Sequence, residues 1–362
     1  MSEPSPDRAA PPVSAPPVPP SAWEEWKLPL GLLALTFLST FYTGATMELG
    51  RTPGSLLELG AGWVFAVPLM AILLAHELGH YVVGRRHGID ISPPYFIPLP
   101  VTLLGTLGAV ISIRERIRSR NALLDVGAAG PIAGLVVALP ILVYGLATSE
   151  VGPLPEATGE GTLIMEGHSI LYELLLLGLH GPIPEGHDIM LSSTALAGWA
   201  GLLVTMINLV PFGQLDGGHV AYALLGRRQH RVSRALLVIL PLLAVVSSVA
   251  FGLVASARGE TLAASPPLFG QGWLRIPWGW MAGMHWLIWA VLLGVMTRVG
   301  RKRLRELAAE HPAVEEELGP VDEAALHPPV DDDRLSGGRR AIGVLCAVLF
   351  VLLFMPSWLR IR

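Results

Sequence analysis

His76-Glu77-Leu78-Gly79-His80 closes an apolar run, Leu59 to Ala75, that contains no charged residue. On an α-helix, residues four apart share one face, about 6 Å apart along the axis. Two imidazoles so placed can bind one Zn²⁺, and Glu77 between them can take a proton from water activated there. Histidine and glutamate within a membrane-length apolar run are costly and mark a functional site.

Outward from that stretch, the chain has the balance of a polytopic membrane protein. Of its 362 residues 52% are apolar and 15% charged, and the mean hydropathy is +0.54. A soluble domain carries about a quarter charged residues. The net charge of −4 is uninformative, and no dense basic surface suggests nucleic acid. A single cysteine, Cys346, excludes an internal disulfide and a Cys-based zinc site. No cleavable signal peptide of the usual build is expected, because the first apolar run is long enough to stay in the bilayer.

Seven uncharged or nearly uncharged runs approach the roughly 20 residues needed to span hydrocarbon. They are Leu28–Met47, Leu59–Val83, Val126–Ser149, Ile189–Leu215, Ala235–Ala257, Ile276–Thr297 and Ala341–Leu359. In the fourth, Pro211-Phe212-Gly213 reads as a helix end and turn. An eighth stretch, Ile91–Ile113, differs in kind. Pro93, Pro94, Pro98 and Pro100 break a helix in its first half. Val101 to Ile113, with Gly105 and Gly108, suits a short hairpin. The expected fold is therefore an all-α polytopic membrane protein of about seven transmembrane helices, with a short re-entrant β-hairpin beside the active site.

Basic loops orient the spans. Arg85 to Arg120, Arg227 to Arg234 and Arg298 to Arg305 fall on one side if the spans alternate. The opposite loop, Glu150 to Asp188, is acidic. This places the N-terminus and the histidine pair on the cytoplasmic side. The expected membrane is the bacterial plasma membrane, since no acidic-poor Arg/Ser transit segment precedes the first span.

Six segments follow from these runs. Residues 1–22 form a disordered Pro-rich tail, 28–58 the first span and an outer loop, and 59–235 the catalytic membrane core. Residues 236–297 hold two further spans, 298–340 a charged cytoplasmic segment and 341–362 the last span.

A catalytic zinc has three protein ligands and an open position. The fourth span runs from outside to inside, so its end, with Asp216-Gly217-Gly218-His219, reaches the depth of the histidine pair. Asp216 is the expected third ligand. His219 reads as a polar helix-start or outer-shell residue. His87 reads as a solvated loop residue, His168, His180 and His187 as surface residues, and His285 as packed or interfacial.

With these residues in view, the chain resembles the site-2 protease family of intramembrane zinc metalloproteases. The resemblance rests on His76-Glu77-Leu78-Gly79-His80 and on Asn208-Leu209-Val210-Pro211-Phe212-Gly213-Gln214-Leu215-Asp216-Gly217-Gly218-His219. Ala129-Gly130-Pro131-Ile132-Ala133-Gly134 is a weaker third match. The resemblance implies one Zn²⁺ per chain on His76, His80 and Asp216, Glu77 as general base, and Asn208 near the reacting carbonyl. It also implies a transmembrane protein as substrate and membrane lipid as surroundings. No segment suits a PDZ insert, and the oligomeric state is left open. Two other classes compete. A metal-ion transporter would use the same His/Glu/Asp cluster as a transit site, but paired repeats or several polar spans are not seen. A membrane-anchored protease working in the cytoplasm would need a soluble catalytic domain after the motif.

Overall fold

The computed structural model describes residues 21–154, 164–257, 283–310, 321, 327–331 and 334–361. Most of the Pro-rich tail and the start of the sixth expected span, 276–282, lie outside the described residues.

The chain begins with α1 (Ala22–Leu49), opened by a capping box between Ser21 and Glu24 and closed by Gly50 at φ 65°. A short α2 (Leu56–Gly60) leads into α3 (Trp63–Arg86), which carries the paired histidines. An antiparallel hairpin follows, β1 (Tyr95–Pro98) and β2 (Thr106–Val110). Next comes α4 (Arg120–Ala147), capped by Ser119. The segment between α4 and α6 contains β3 (Glu150–Pro153), β4 (Ile164–Glu166), α5 (Ile170–His180) and β5 (His187–Met190). It leads into α6 (Ser193–Asn208), α7 (Asp216–Leu225) and α8 (Gln229–Ala257). The chain ends with α9 (Met284–Glu310), α10 (Gly337–Leu353) and β6 (Leu359–Ile361).

The fold is mostly helical. Among the described residues, four helices are long and apolar enough to cross a membrane: α1, α3, α4 and the run Asp216–Val254. The fourth expected run, Ile189–Leu215, is not one long helix. Strand β5 takes its start, α6 covers 16 residues, and the helix stops at Asn208 before the Pro211 turn. The hairpin also begins earlier than the sequence suggests. Tyr95–Pro98 is itself a strand, and Pro98 sits next to an irregularity in the register, where a missing N–H does little harm.

In lipid there is no strong hydrophobic drive between helices, so close packing of small residues joins them. The α4–α6 contact shows this. An added Cβ at Gly198 would stand 2.6 Å from Leu142 Cα, and one at Gly201 would stand 2.8 Å from Ala138 Cβ. The hairpin is held by polar residues of α1. Ser39 donates to the Gly105 carbonyl at 2.6 Å. Gly105 has φ +73°, and a Cβ there would press on Thr43 and the α1 backbone. Thr36, Ser39, Thr40 and Thr43 form the buried face of α1.

Helix α10 ties both ends of the core together. At its start, Arg339 grips Asp125 of α4 through contacts of 2.7, 2.9 and 3.0 Å. Past its end, β6 pairs with β4.

Candidate metal centre

Three side chains from two distant parts of the chain meet at one point. His76 Nε2 and His80 Nε2 stand 3.2 Å apart, and each is 3.2 Å from Asp216 Oδ2. Taking one ligand atom from each residue, the three lie within 4.8 Å of one another, the one such group among the described residues. His76 and His80 are buried.

The donor set fits a zinc ion. Ligands about 2.0–2.1 Å from a tetrahedral Zn²⁺ lie about 3.3 Å from each other, close to the observed triangle. The proton on His80 also points the right way. His80 Nδ1 is 2.8 Å from the Val126 carbonyl. A carbonyl only accepts, so Nδ1 carries the hydrogen and Nε2 keeps its lone pair for the cluster. That arrangement is the usual support of a metal-ligating histidine. Asp216 is the first residue of α7, where the helix dipole favours a carboxylate.

Local sequence explains the approach. The turn after α6 folds tightly, with Phe212 N–H on Val210 O at 2.7 Å and Leu215 N–H on Phe212 O at 3.0 Å. The start of α7 packs onto it so closely that side chains at Gly217 or Gly218 would overlap the backbone of Leu209 and Phe212-Gly213. Two glycines after Asp216 are therefore a steric requirement.

Helix α4 lines the other wall. A methyl group at Gly130 would overlap the His80 ring, and one at Gly134 would stand 3.2 Å from His76 Cβ and Nδ1. Gly79 faces the α4 backbone in return, with an added Cβ 2.7 Å from Ala129 O. The Ala129–Gly134 stretch thus opens a groove for the two imidazoles. Sequence reading gave it a packing role; small residues at spacings of three and four were the signal for the groove itself.

Glu77 is buried on α3 between the two histidines, at 9% exposure. Asn208 is the last residue of α6, and its Nδ2 stands 3.3 Å from His76 Nε2. The structure therefore gathers all five expected site residues in one region. His219 is outside the triangle. Of the other histidines, His87 is exposed just past the end of α3, as read, and its ring also meets Asp125 Oδ2 at 2.9 Å. His168 and His180 are also engaged, with Glu173 at 2.6 Å and the Leu146 carbonyl at 2.8 Å. His285 packs against Trp286 and Trp358. A buried histidine from the linker, His327, was not singled out from the sequence.

The profile of peptidase family M50 matches residues 64–249, from the start of α3 into α8 and about half of the chain. The chain is 34% identical over 203 residues to "Probable zinc metalloprotease EGY2, chloroplastic" of Oryza sativa subsp. indica, covering 54% of this chain and 35% of that protein. It is 35% identical over 187 residues to the Arabidopsis thaliana protein of the same name, covering 50% and 32%. To "Probable zinc metalloprotease EGY1, chloroplastic" of Arabidopsis thaliana it is 28% identical over 237 residues, covering 58% and 42%. The match thus spans about a third of the length of the first two relatives. No solved structure matches the chain.

Proposed function

Because the chain belongs to peptidase family M50, the site-2 protease family, we propose that it is an intramembrane zinc endopeptidase acting on transmembrane protein substrates. The observation that carries this reading is the triangle of two imidazole nitrogens and one carboxylate oxygen with 3.2 Å edges. A single three-ligand cluster among the described residues, where two elements meet, suits a resident metal better than a transit path for ions.

His76, His80 and Asp216 hold the zinc in this reading. Bound there, the ion supplies a water of lowered pKa and polarises the scissile carbonyl. Glu77 takes the proton from the attacking water and passes it to the leaving amine. Asn208 offers its amide to the oxygen on which negative charge develops, supported by its place beside His76. Removing the metal with a chelator is expected to abolish cleavage of a purified membrane-embedded reporter, and added Zn²⁺ to restore it. Cleavage undiminished after complete metal removal would reject the proposal.

A substrate helix must unwind before its peptide bonds can be cut, and the hairpin supports a way to hold the freed strand. The Ser112 carbonyl accepts from Ser92 N–H at 2.9 Å. Residues of the opposite parity, Ala109 and Ile111, therefore turn their backbone groups away from β1. Ala109→Pro and Ile111→Pro are expected to lower cleavage by about tenfold or more, the loss of one or two hydrogen bonds, with zinc content unchanged. Full cleavage in both would rule out strand addition at this edge.

Seven spans remain our reading of the topology. It is supported by α10, which meets α4 at one end of the core and the outer β4 at the other. The charge pattern supports a cytoplasmic N-terminus and a cytoplasmic metal-centre side. We place the chain in a bacterial plasma membrane; the chloroplast address belongs to the named plant relatives. The six segments remain proposed divisions, and helices cross four of them: α2 the 58/59, α8 the 235/236, α9 the 297/298 and α10 the 340/341 division.

A further inference from the structure

His327 enters the core from the segment between α9 and α10, a stretch that reads in sequence as a charged excursion. It is 1% exposed. Its ring stacks on Tyr222 of α7 with centroids 4.0 Å apart and 13° between planes, and it meets His219 edge-on at 5.2 Å. The segment is fastened on several sides. Arg116 Nε donates to the Pro329 carbonyl at 2.9 Å, and Asp331 N–H donates to the Arg118 carbonyl at 2.8 Å. His230 Nε2 stands 3.2 Å from the His327 carbonyl.

Carbonyl partners dictate where the protons sit. His327 Nδ1 is 2.7 Å from the Pro328 carbonyl, which can only accept. Nδ1 therefore carries the hydrogen and Nε2 the lone pair. That Nε2 is 3.0 Å from His219 Nδ1, so His219 donates from Nδ1 and keeps its own lone pair on Nε2. Burial, reinforced by the nearby His219, pushes His327 down to about 3, and its ring stays neutral near pH 7.

His219 is close to the metal centre. It follows Asp216 by three residues on α7. A Cβ at Gly127 of α4 would stand 2.9 Å from His219 Cβ, one turn along from Gly130, which faces His80. The His219 side chain is only partly buried. No hydrogen-bond partner engages its Nε2 among the described residues.

We propose that His327 is a positioning residue: it fixes His219 in the Nδ1–H tautomer and so presents Nε2 as an acceptor for a backbone N–H of the unwound substrate. The proposal rests on the peptidase reading of the metal centre. Unwinding frees backbone donors where water is scarce, and each needs an acceptor. The other tautomer would set an N–H of His219 against such a donor and repel it.

The test uses the full chain in bilayers, with and without zinc. His327→Phe keeps a ring to stack on Tyr222 and removes the acceptor. His327→Gln supplies an acceptor again. Ring ¹⁵N shifts of His219, zinc content, kcat and KM are read for each, with His219→Ala and the double variant. Wild type is expected to show His219 protonated on Nδ1, with or without zinc. His327→Phe is expected to lose that tautomer, keep its zinc and raise KM on the order of tenfold. His327→Gln should recover most of the loss, and His327→Phe should add nothing to His219→Ala. An Nε2–H tautomer in wild type, unchanged KM in His327→Phe, or zinc lost from that variant would overturn the proposal. Wild-type chain that binds zinc yet cleaves no membrane substrate would overturn the peptidase reading and the substrate role together, and the tautomer measurement separates this from failure of the relay alone.

Discussion

Glu77→Gln is expected to keep its zinc and to lose cleavage by about 10²–10⁴-fold, the usual contribution of a positioned general base. The substitution changes one oxygen to an amide nitrogen, so the volume between His76 and His80 is conserved. The three metal-facing atoms belong to other residues, so they have no reason to move. What disappears is the ability to accept a proton from the attacking water. Parallel assays of zinc content and cleavage of a membrane-embedded reporter check this. Cleavage within a few-fold of wild type would remove Glu77 from the role of base. Loss of zinc would instead make it part of the metal's support.

Gly130→Ala is expected to have an effect as large while leaving every polar residue in place. The added methyl group overlaps the His80 ring. One rigid helix holds the ring at two points: α4 carries the methyl at Gly130, against Nε2, and one turn earlier its Val126 carbonyl holds Nδ1 at 2.8 Å. The ring must swing out of the triangle, or α3 and α4 must separate, which Gly79 against Ala129 O shows to be tightly packed. Disturbing the support of a ligating histidine costs about 10–100-fold in metal affinity, and direct displacement falls at the upper end or beyond. Gly134→Ala is the control. Its methyl would meet His76 at 3.2 Å, a crowding that a shift of a few tenths of an ångström relieves, so its zinc affinity should stay within about tenfold of wild type. Zinc titrations of the two variants decide the matter. Equal, near-native affinities would show that α4 does not form the histidine groove.

The metal centre was legible in the sequence because its parts carry local signals. His76 and His80 share a helix face by spacing alone. Asp216 follows the next-but-one apolar run, and the folded chain brings it to 3.2 Å from both imidazoles. Asn208 came with the resemblance, and its Nδ2 stands 3.3 Å from His76 Nε2. The groove was half legible. Ala129–Gly134 advertises close packing, but sequence cannot say that the neighbour is a pair of imidazoles.

Elsewhere the signal was weaker or absent. Periodicity cannot distinguish one long apolar run from a strand followed by a short helix, so Ile189–Leu215 was read as one span although the helix covers only α6. The prolines around Tyr95–Pro98 hid a strand, because Pro98 stands at its end, where the ladder tolerates it. His327 and Arg339 carry no local pattern. Their partners, His219 and Asp125, lie more than a hundred residues away, and only the folded chain brings them together.

The zinc K-edge absorption spectrum of the purified full chain, recorded beside that of Asp216→Ala, tests the metal centre most directly. The account predicts one zinc per chain coordinated by two imidazoles and a carboxylate oxygen, and little or no zinc in the variant. A wild-type chain without zinc, or an Asp216→Ala chain with full zinc and an unchanged spectrum, would contradict it.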